Sequence, residues 1–214
     1  MSGDRYLTFA LAKGRLAKQT LELLEKIGIT CEEMKDKDSR KLIFVNEELK
    51  LKFFLAKGPD VPTYVEYGAA DIGVVGKDTL LEEGRQLYEV LDLGLGKCRM
   101  CVAAKKGFRD NSEKTLKVAT KFVNIARGHY ASKGRDIEIC KLNGSIEIAP
   151  ILGMTDVIVD IVETGTTLKE NDLEVIETII PISARLVANK ASSKFKAQQI
   201  SDIRRKLQEV IDND

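Results

Sequence analysis

The sequence is poor in the residues that mark several classes of protein. Its 214 residues include no tryptophan, one histidine, four prolines and four cysteines, and only 6% are aromatic. No apolar run reaches the roughly 18–20 residues of a membrane-spanning helix, and the first ten residues lack the apolar core of a signal peptide. Few prolines and no low-complexity tract argue against disorder. We therefore expect a globular, cytoplasmic protein.

Neither charge sign dominates. Lysine and arginine number 34 against 33 acidic residues, which gives a net charge of +1, so nothing in the overall balance attracts nucleic acid or an anionic membrane. We predict neither as a partner. The length allows one large domain or two of roughly 100 residues, and either can bury a core without a disulfide or metal.

The cysteines are predicted to be ordinary thiols. They are Cys31, Cys98, Cys101 and Cys140. Cys98 and Cys101 lie in an apparent strand, where positions three apart point to opposite faces, and His129 is the only histidine that could complete a metal site. We expect His129, within a helical pattern, to be structural.

Short apolar runs alternate with helical patterns, which predicts an α/β protein with a mostly parallel sheet. Strands are predicted at residues 6–12, 41–45, 49–56, 71–75, 87–91, 98–104, 116–119, 137–142 and 156–162, with one or two more within 173–186. Helices are predicted at 15–28, 61–68, 77–83, 122–132 and 146–152. An amphipathic tail helix follows, capped by Ser192 and Ser193, with Phe195, Ile203, Leu207, Val210 and Ile211 as its apolar stripe.

A polar stretch at residues 105–114 interrupts this alternation. It predicts a crossover between two α/β domains, the first formed by residues 1–104 plus 180–214 and the second by residues 105–179. We expect the second to carry the loop described next.

The most informative motif follows an apolar strand. Asp160 lies in that strand, and the turn Thr164-Gly165-Thr166-Thr167 comes just after it. Gly165 permits a tight turn that presents backbone N–H groups, and the threonine hydroxyls add donors, so the turn can bind phosphate. With an acid nearby for sugar hydroxyls, it suits a ribose 5-phosphate. The alternative is an ordinary helix start after a strand.

Basic clusters lie at the ends of other predicted strands. They are Lys13-Gly14-Arg15, Arg40-Lys41 and Lys97-Cys98-Arg99. Each alone is typical of solvated surface charge, but together with the threonine turn they suggest a polyphosphate cleft. The Walker A and G-x-G-x-x-G patterns are absent, as is G-x-S-x-G, which leaves a mechanism of positioning and charge neutralisation.

Five segments together resemble the short form of the ATP phosphoribosyltransferase family. They are residues 10–16, 59–78, 118–127, 144–150 and 160–168, within a resemblance that extends to about residue 185. Ala12 departs from the proline or serine that often stands there. The resemblance implies a two-domain type II periplasmic-binding-protein-like fold with the active site in the interdomain cleft.

The resemblance also implies a reaction. The family transfers the phosphoribosyl group of 5-phosphoribosyl diphosphate (PRPP) to N1 of ATP, giving N1-(5-phospho-β-D-ribosyl)-ATP and pyrophosphate, the first step of L-histidine biosynthesis. Its short form works with a regulatory subunit similar to histidyl-tRNA synthetase, in an expected hetero-octamer, and a homodimer of catalytic chains is expected too. Magnesium would accompany PRPP and ATP, held more by substrate oxygens than by a protein site.

Residue roles follow by the same resemblance. PRPP would be bound by Glu147, Asp160, Glu163, Thr164, Gly165, Thr166 and Thr167. ATP would be bound by Lys13, Arg15, Arg40, Gly76 and Asp78. Of these, Lys13, Arg15 and Arg40 are the expected catalytic residues.

Two other interpretations remain open at this point. A type I phosphoribosyltransferase of nucleobase salvage has a similar loop, but with two adjacent acids, whereas Ile161 follows Asp160 here. A solute-binding module without catalysis would share the fold, because a fold does not determine function.

Overall fold

The computed structural model describes residues 6–35 and 40–213. The chain divides into two compact units. Unit 1 comprises the described residues up to Gly96 together with those from Ser183, and unit 2 is Lys97–Ile182. The chain thus passes from unit 1 to unit 2 after Gly96, eight residues before the boundary predicted after residue 104. It returns to unit 1 after Ile182, three residues after the boundary predicted after residue 179.

The secondary structure alternates as predicted, within a few residues at most ends. The strands are β1 (Leu7–Ala12), β2 (Ile43–Asn46), β3 (Leu51–Ala56), β4 (Ile72–Gly76), β5 (Tyr88–Asp92), β6 (Cys98–Lys105), β7 (Leu116–Thr120), β8 (Ile137–Lys141), β9 (Val157–Val162), β10 (Leu173–Ile182) and β11 (Ala184–Ala188). The helices are α1 (Arg15–Lys26), α2 (Val61–Glu66), α3 (Lys77–Glu83), α4 (Val123–Ser132), α5 (Ile148–Ile151), α6 (Thr166–Glu170), α7 (Ser192–Phe195) and α8 (Ala197–Asn213).

Both sheets are mixed, so the prediction of a mostly parallel sheet was wrong. In unit 1 the order is β2-β3-β1-β4-β11-β5, and only β3-β1-β4 is parallel. In unit 2 the order is β10-β6-β9-β7-β8, and only β9-β7-β8 is parallel. A buried strand has the same apolar pattern in either direction, so the sequence does not reveal its direction.

The pairing of β6 explains why the predicted domain boundary differs from the observed one. β6 is hydrogen-bonded on both sides to strands of unit 2, namely β9 and β10. The polar stretch at 105–114, which predicted the crossover, instead connects β6 to β7 within unit 2.

Each unit aligns the carboxyl ends of its parallel strands along one sheet edge. In unit 1 this edge carries the ends of β1, β3 and β4, at Ala12, Ala56 and Gly76. In unit 2 it carries the ends of β7, β8 and β9. Such edges are where α/β folds bind ligands.

Separate apolar cores support the two edges. In unit 1, Phe9 stacks on Phe53 with ring centroids 4.8 Å apart, and α1 and α8 cover the same core. In unit 2 the sheet is covered on both faces. Met100 and Val102 pack on the α4 side, while Cys101 and Ala103 pack on the other.

The tail helix confirms one part of its prediction and corrects another. Ile203 and Leu207 are buried in the unit 1 core, as the stripe predicted. Phe195, however, is 80% exposed and belongs to the separate short helix α7. Ser192 and Ser193 are not the caps, because the Asn189 side-chain oxygen accepts the N–H groups at residues 191 and 192.

Two further expectations can be compared with the structure. No disulfide joins Cys31, Cys98, Cys101 or Cys140. Cys98 and Cys101 pack on opposite faces of the unit 2 sheet, as predicted. Within residues 6–35 and 40–213, no helix is both long and apolar enough to cross a membrane.

Candidate active site

The threonine-rich turn forms a helix start of unusual backbone geometry. Gly165 lies between β9 and α6 with φ 79° and ψ 8°, a left-handed conformation that favours glycine. Its carbonyl accepts the N–H of Lys169 at 3.1 Å. The hydroxyls of Thr164 and Thr166 lie 3.0 Å apart, and both side chains are exposed. The turn therefore offers hydroxyl and backbone donors to a ligand at the carboxyl end of β9.

Beside this turn lies a cavity of about 300 Å³. All seven residues predicted to bind PRPP line it. The complete lining is Cys101, Ala103, Glu147, Ile158, Asp160, Ile161, Val162, Glu163, Thr164, Gly165, Thr166, Thr167 and Leu168. Hydroxyls and three carboxylates thus share one recess with an apolar floor. Such a lining offers donors to a phosphate and acceptors to sugar hydroxyls.

Glu147 reaches the cavity from a different segment than the turn. It directly precedes α5, and its neighbour Ile146 is 1% exposed in the same apolar cluster as Ile158 and Leu168. Burial of Ile146 thus anchors the Glu147 backbone to the floor of the cavity. Periodicity could not indicate this contact, and only the family resemblance selected Glu147.

Six lining residues were not among those predicted to bind PRPP, namely Cys101, Ala103, Ile158, Ile161, Val162 and Leu168. Cys101, Ala103 and Ile158 form part of the floor. Cys101 and Ala103 lie on β6, opposite Asp160 and Ile158 of β9. The strand pattern of the sequence predicts that Cys101 and Ala103 share one face of β6. It does not predict the antiparallel pairing that places them beside β9.

The predicted ATP residues lie at the carboxyl edge of the unit 1 sheet. Lys13 and Arg15 follow β1 and are exposed. The Lys13 N–H donates to the Ala56 carbonyl at 2.8 Å, which ties this turn to the end of β3. Gly14 has φ 100°, a value that suits glycine and lets α1 begin directly after the turn.

Gly76 and Asp78 follow β4 at the same edge. A Cβ at position 76 would meet the Asp78 carboxylate, which would have to rotate away. Arg40 is exposed and lies just before β2. The first residue of β2, Ile43, pairs with Phe54 near the carboxyl end of β3, which places Arg40 at the same edge. The five predicted residues therefore gather along one sheet edge.

A network of charges stabilises that edge near β4. The Lys77 ammonium lies 2.5 Å from a Glu89 carboxylate oxygen, and the Arg185 guanidinium lies 2.5 Å from Asp92. Ser183 donates to Asp92 at 2.8 Å. These contacts link β5 and β11 to the turn that carries Gly76.

His129 does not line the cavity. The His129 ring nitrogen Nε2 is 3.3 Å from Glu177, and the His129 side chain is 9% exposed. This buried pairing agrees with the structural role that we predicted. Over the residues that the structure describes, no group of three or more His, Cys, Asp or Glu is placed to hold a metal ion.

Two mixed α/β units, one with a phosphate-suited turn over an acidic cavity, define a two-domain fold of the type II periplasmic-binding-protein kind. A histidine kinase sensor domain with similarity to periplasmic binding proteins shares the fold with a TM-score of 0.61, at 12% identity over 98% of this chain and 91% of that one. The substrate-binding protein of an amino acid ABC transporter has a TM-score of 0.58 at 12% identity, over 97% and 96%. At these identities the likeness concerns the fold alone.

Closer relatives define the family. The family model "HisG: ATP phosphoribosyltransferase" matches residues 57–209. An ATP phosphoribosyltransferase of Lachnoclostridium phytofermentans is 63% identical over 97% of this chain and 98% of its own. A chain of the ATP phosphoribosyl transferase (HisG:HisZ) complex from Thermotoga maritima has a TM-score of 0.83 at 38% identity, over 97% and 100%. The chain therefore belongs to the ATP phosphoribosyltransferase family, and its length is that of the short form.

Proposed function

We propose that this chain transfers the phosphoribosyl group of PRPP to N1 of the adenine of ATP and releases pyrophosphate, as the first step of L-histidine biosynthesis. The observation that carries this proposal is the cavity beside the Thr164–Thr167 turn. Its lining combines phosphate donors with carboxylates for ribose hydroxyls, which is the chemistry that PRPP requires. Family membership supplies ATP as the acceptor.

Each part of PRPP has its own set of binding residues in this proposal. The residues 163–167 bind the 5-phosphate through hydroxyl and backbone donors. Asp160 and Glu147 accept hydrogen bonds from the ribose hydroxyls and so orient C1. Lys13, Arg15 and Arg40 bind the pyrophosphate and the ATP triphosphate, with Gly76 and Asp78 as further contacts to ATP.

Catalysis then consists of alignment and charge stabilisation. N1 of adenine attacks C1 with a neutral lone pair, opposite to the departing pyrophosphate, through a transition state of oxocarbenium character. No strong general base is needed. The exposed cations on the unit 1 edge stabilise the charge that develops on the leaving group.

Magnesium would be held mainly by phosphate oxygens of the substrates and by water, with few protein ligands. Among the described residues, no group of three or more His, Cys, Asp or Glu is placed to hold the ion by itself. When bound with PRPP, the ion supplies charge neutralisation at the leaving pyrophosphate. This chain's own residues orient the ribose and hold its 5-phosphate.

A regulatory partner completes the proposal. The Thermotoga maritima relative is a HisG:HisZ complex. We propose that this chain likewise pairs with a histidyl-tRNA-synthetase-like regulatory subunit in the cytoplasm, in a hetero-octamer that contains dimers of the catalytic chain.

The test uses initial rates of pyrophosphate release with purified chain, ATP, PRPP and Mg²⁺. Arg15→Ala should lower kcat/KM by the equivalent of about 2–4 kcal/mol, as for other preorganised charge donors. Lys18→Met is the control, because it removes an exposed cation one turn along the same helix and should leave kcat/KM unchanged. The Lys18 ammonium lies 3.9 Å from Glu22. Thr164→Val should raise the KM for PRPP. Equal kcat/KM for Arg15→Ala and the wild type would remove Arg15 from the mechanism.

A further inference from the structure

The cavity beside the threonine turn has an unbalanced charge. Glu147, Asp160 and Glu163 contribute three carboxylates, and among the described residues its lining includes no lysine or arginine. A phosphate monoester adds about −1.5 to −2 charges at pH 7. Hydroxyl and N–H dipoles do not supply a full positive charge. A cation just outside the lining would therefore strengthen the binding of a phosphate that the turn holds.

The register of β6 brings one arginine to that position. Ala103 lies opposite Ile158, and Cys101 lies opposite Asp160. All four of these residues line the cavity. Arg99 shares their face of β6 because side chains alternate along a strand.

The partner of Arg99 places it at the start of the turn. Arg99 pairs with Val162 of β9, which lines the cavity and directly precedes Glu163. The Cβ atoms of such pairs are about 4.5–5.5 Å apart. Arg99 therefore lies at the end of the cavity face where β9 enters the turn.

The Arg99 guanidinium is also uncommitted. Its side chain is exposed, and within residues 6–35 and 40–213 it makes no ion pair or side-chain hydrogen bond. By contrast, Arg135 lies 2.7 Å from Asp110 and Arg185 lies 2.5 Å from Asp92. A guanidinium without a carboxylate partner can form two parallel hydrogen bonds to a phosphate.

We propose that Arg99 binds the 5-phosphate of PRPP from the β6 side of the threonine turn. This role rests on the proposed function and adds to it the cation that the cavity lining lacks. It also assigns a residue that the sequence showed only as part of a basic cluster. Arg99 binds and orients the phosphate and takes no part in bond making or breaking.

The test measures binding of ribose 5-phosphate and of pyrophosphate to the full chain by calorimetry, with steady-state rates alongside. Arg99→Met should weaken ribose 5-phosphate binding about 10-fold or more, the equivalent of one charged hydrogen bond. It should raise the KM for PRPP while the KM for ATP and the pyrophosphate affinity stay unchanged. Arg99→Lys should restore part of the affinity, because it keeps the charge and loses the planar fork.

Lys105→Met is the matched control. Lys105 lies on the same face of β6, six residues along, which is about 20 Å in a strand. Its variant should bind ribose 5-phosphate as the wild type does. Equal weakening in both variants, unchanged affinity in a folded Arg99→Met chain, or a loss confined to pyrophosphate would each overturn the role of Arg99. Absence of ATP-dependent pyrophosphate release in the wild type would instead refute the proposed function, so the two failures are distinguishable.

Discussion

Substitution of Gly165 by alanine should separate the binding role of the threonine turn from its contribution to stability. Gly165 has a φ of 79°, a conformation that costs an L-residue about 1–2 kcal/mol. A Cβ built there meets Val162 Cγ1 at 3.7 Å, an ordinary contact without a clash. The loss in unfolding free energy should therefore be about 1–2 kcal/mol, and all of it should come from the backbone.

Gly134→Ala provides the matched control. Gly134 lies between α4 and β8 in the same unit with φ 62°, and a Cβ there meets no atom within 4 Å. Both variants should lose similar stability, at about 2–4 °C in Tm per kcal/mol for a chain of this size. Only Gly165→Ala puts this strain into the turn whose N–H groups face the cavity, so it alone should raise the KM for PRPP.

Thermal unfolding and initial rates of pyrophosphate release, with each substrate varied at a saturating level of the other, test this pair. Gly165→Asn should recover most of the PRPP affinity, because asparagine tolerates the left-handed region. The reasoning is refuted if Gly165→Ala and Gly134→Ala show the same KM for PRPP, or if Gly165→Ala affects only the KM for ATP.

Three further predictions concern stability. Lys196→Met should cost about 3–5 kcal/mol in urea unfolding, because it leaves the Asp71 carboxylate, 2.6 Å away and 9% exposed, without its cation; a cost near zero contradicts this. Gly73→Ala should cost about 1–3 kcal/mol, because its Cβ would lie 2.8 Å from a valine of α2; an unchanged Tm would show that α2 moves freely. The Lys133 ammonium lowers the pKa of Glu177, with a smaller effect from His129. That stabilisation is present above the unfolded pKa of about 4.3 and is lost as pH falls through the lower folded pKa. The stability difference between wild type and Lys133→Met should therefore vanish in acid, and a difference that persists there would contradict the prediction.

The order of strands and helices could be predicted because each element has a clear apolar period. The α1 pattern and the buried run of β9 are typical of their classes. Strand direction could not be predicted, since pairing depends on residues far apart in sequence. This is why β6 was assigned to the wrong unit, and why Cys101 and Ala103 were missed in the cavity floor.

The candidate site was partly readable. The turn at Gly165 follows a strong strand with donors at consecutive positions, so local chemistry alone indicated phosphate. Glu147 has no local signal and came only from the family resemblance. The tail shows a feature that the local sequence does not determine. Asn189, Ser192 and Ser193 are all residue types that can cap a helix. In the structure, Asn189 Oδ1 accepts the N–H groups of Ala191 and Ser192 at 2.8 and 2.9 Å, and this selection depends on the fold rather than on the local pattern.

Pyrophosphate release by the purified chain with ATP, PRPP and Mg²⁺, alone and with the proposed regulatory subunit, tests the central claim most directly. We predict release that requires both substrates and that Thr164→Val reduces at limiting PRPP. Transfer to a free nucleobase in place of ATP would contradict the proposed acceptor. No release in either mixture, with both proteins folded, would contradict phosphoribosyl transfer and favour a solute-binding role.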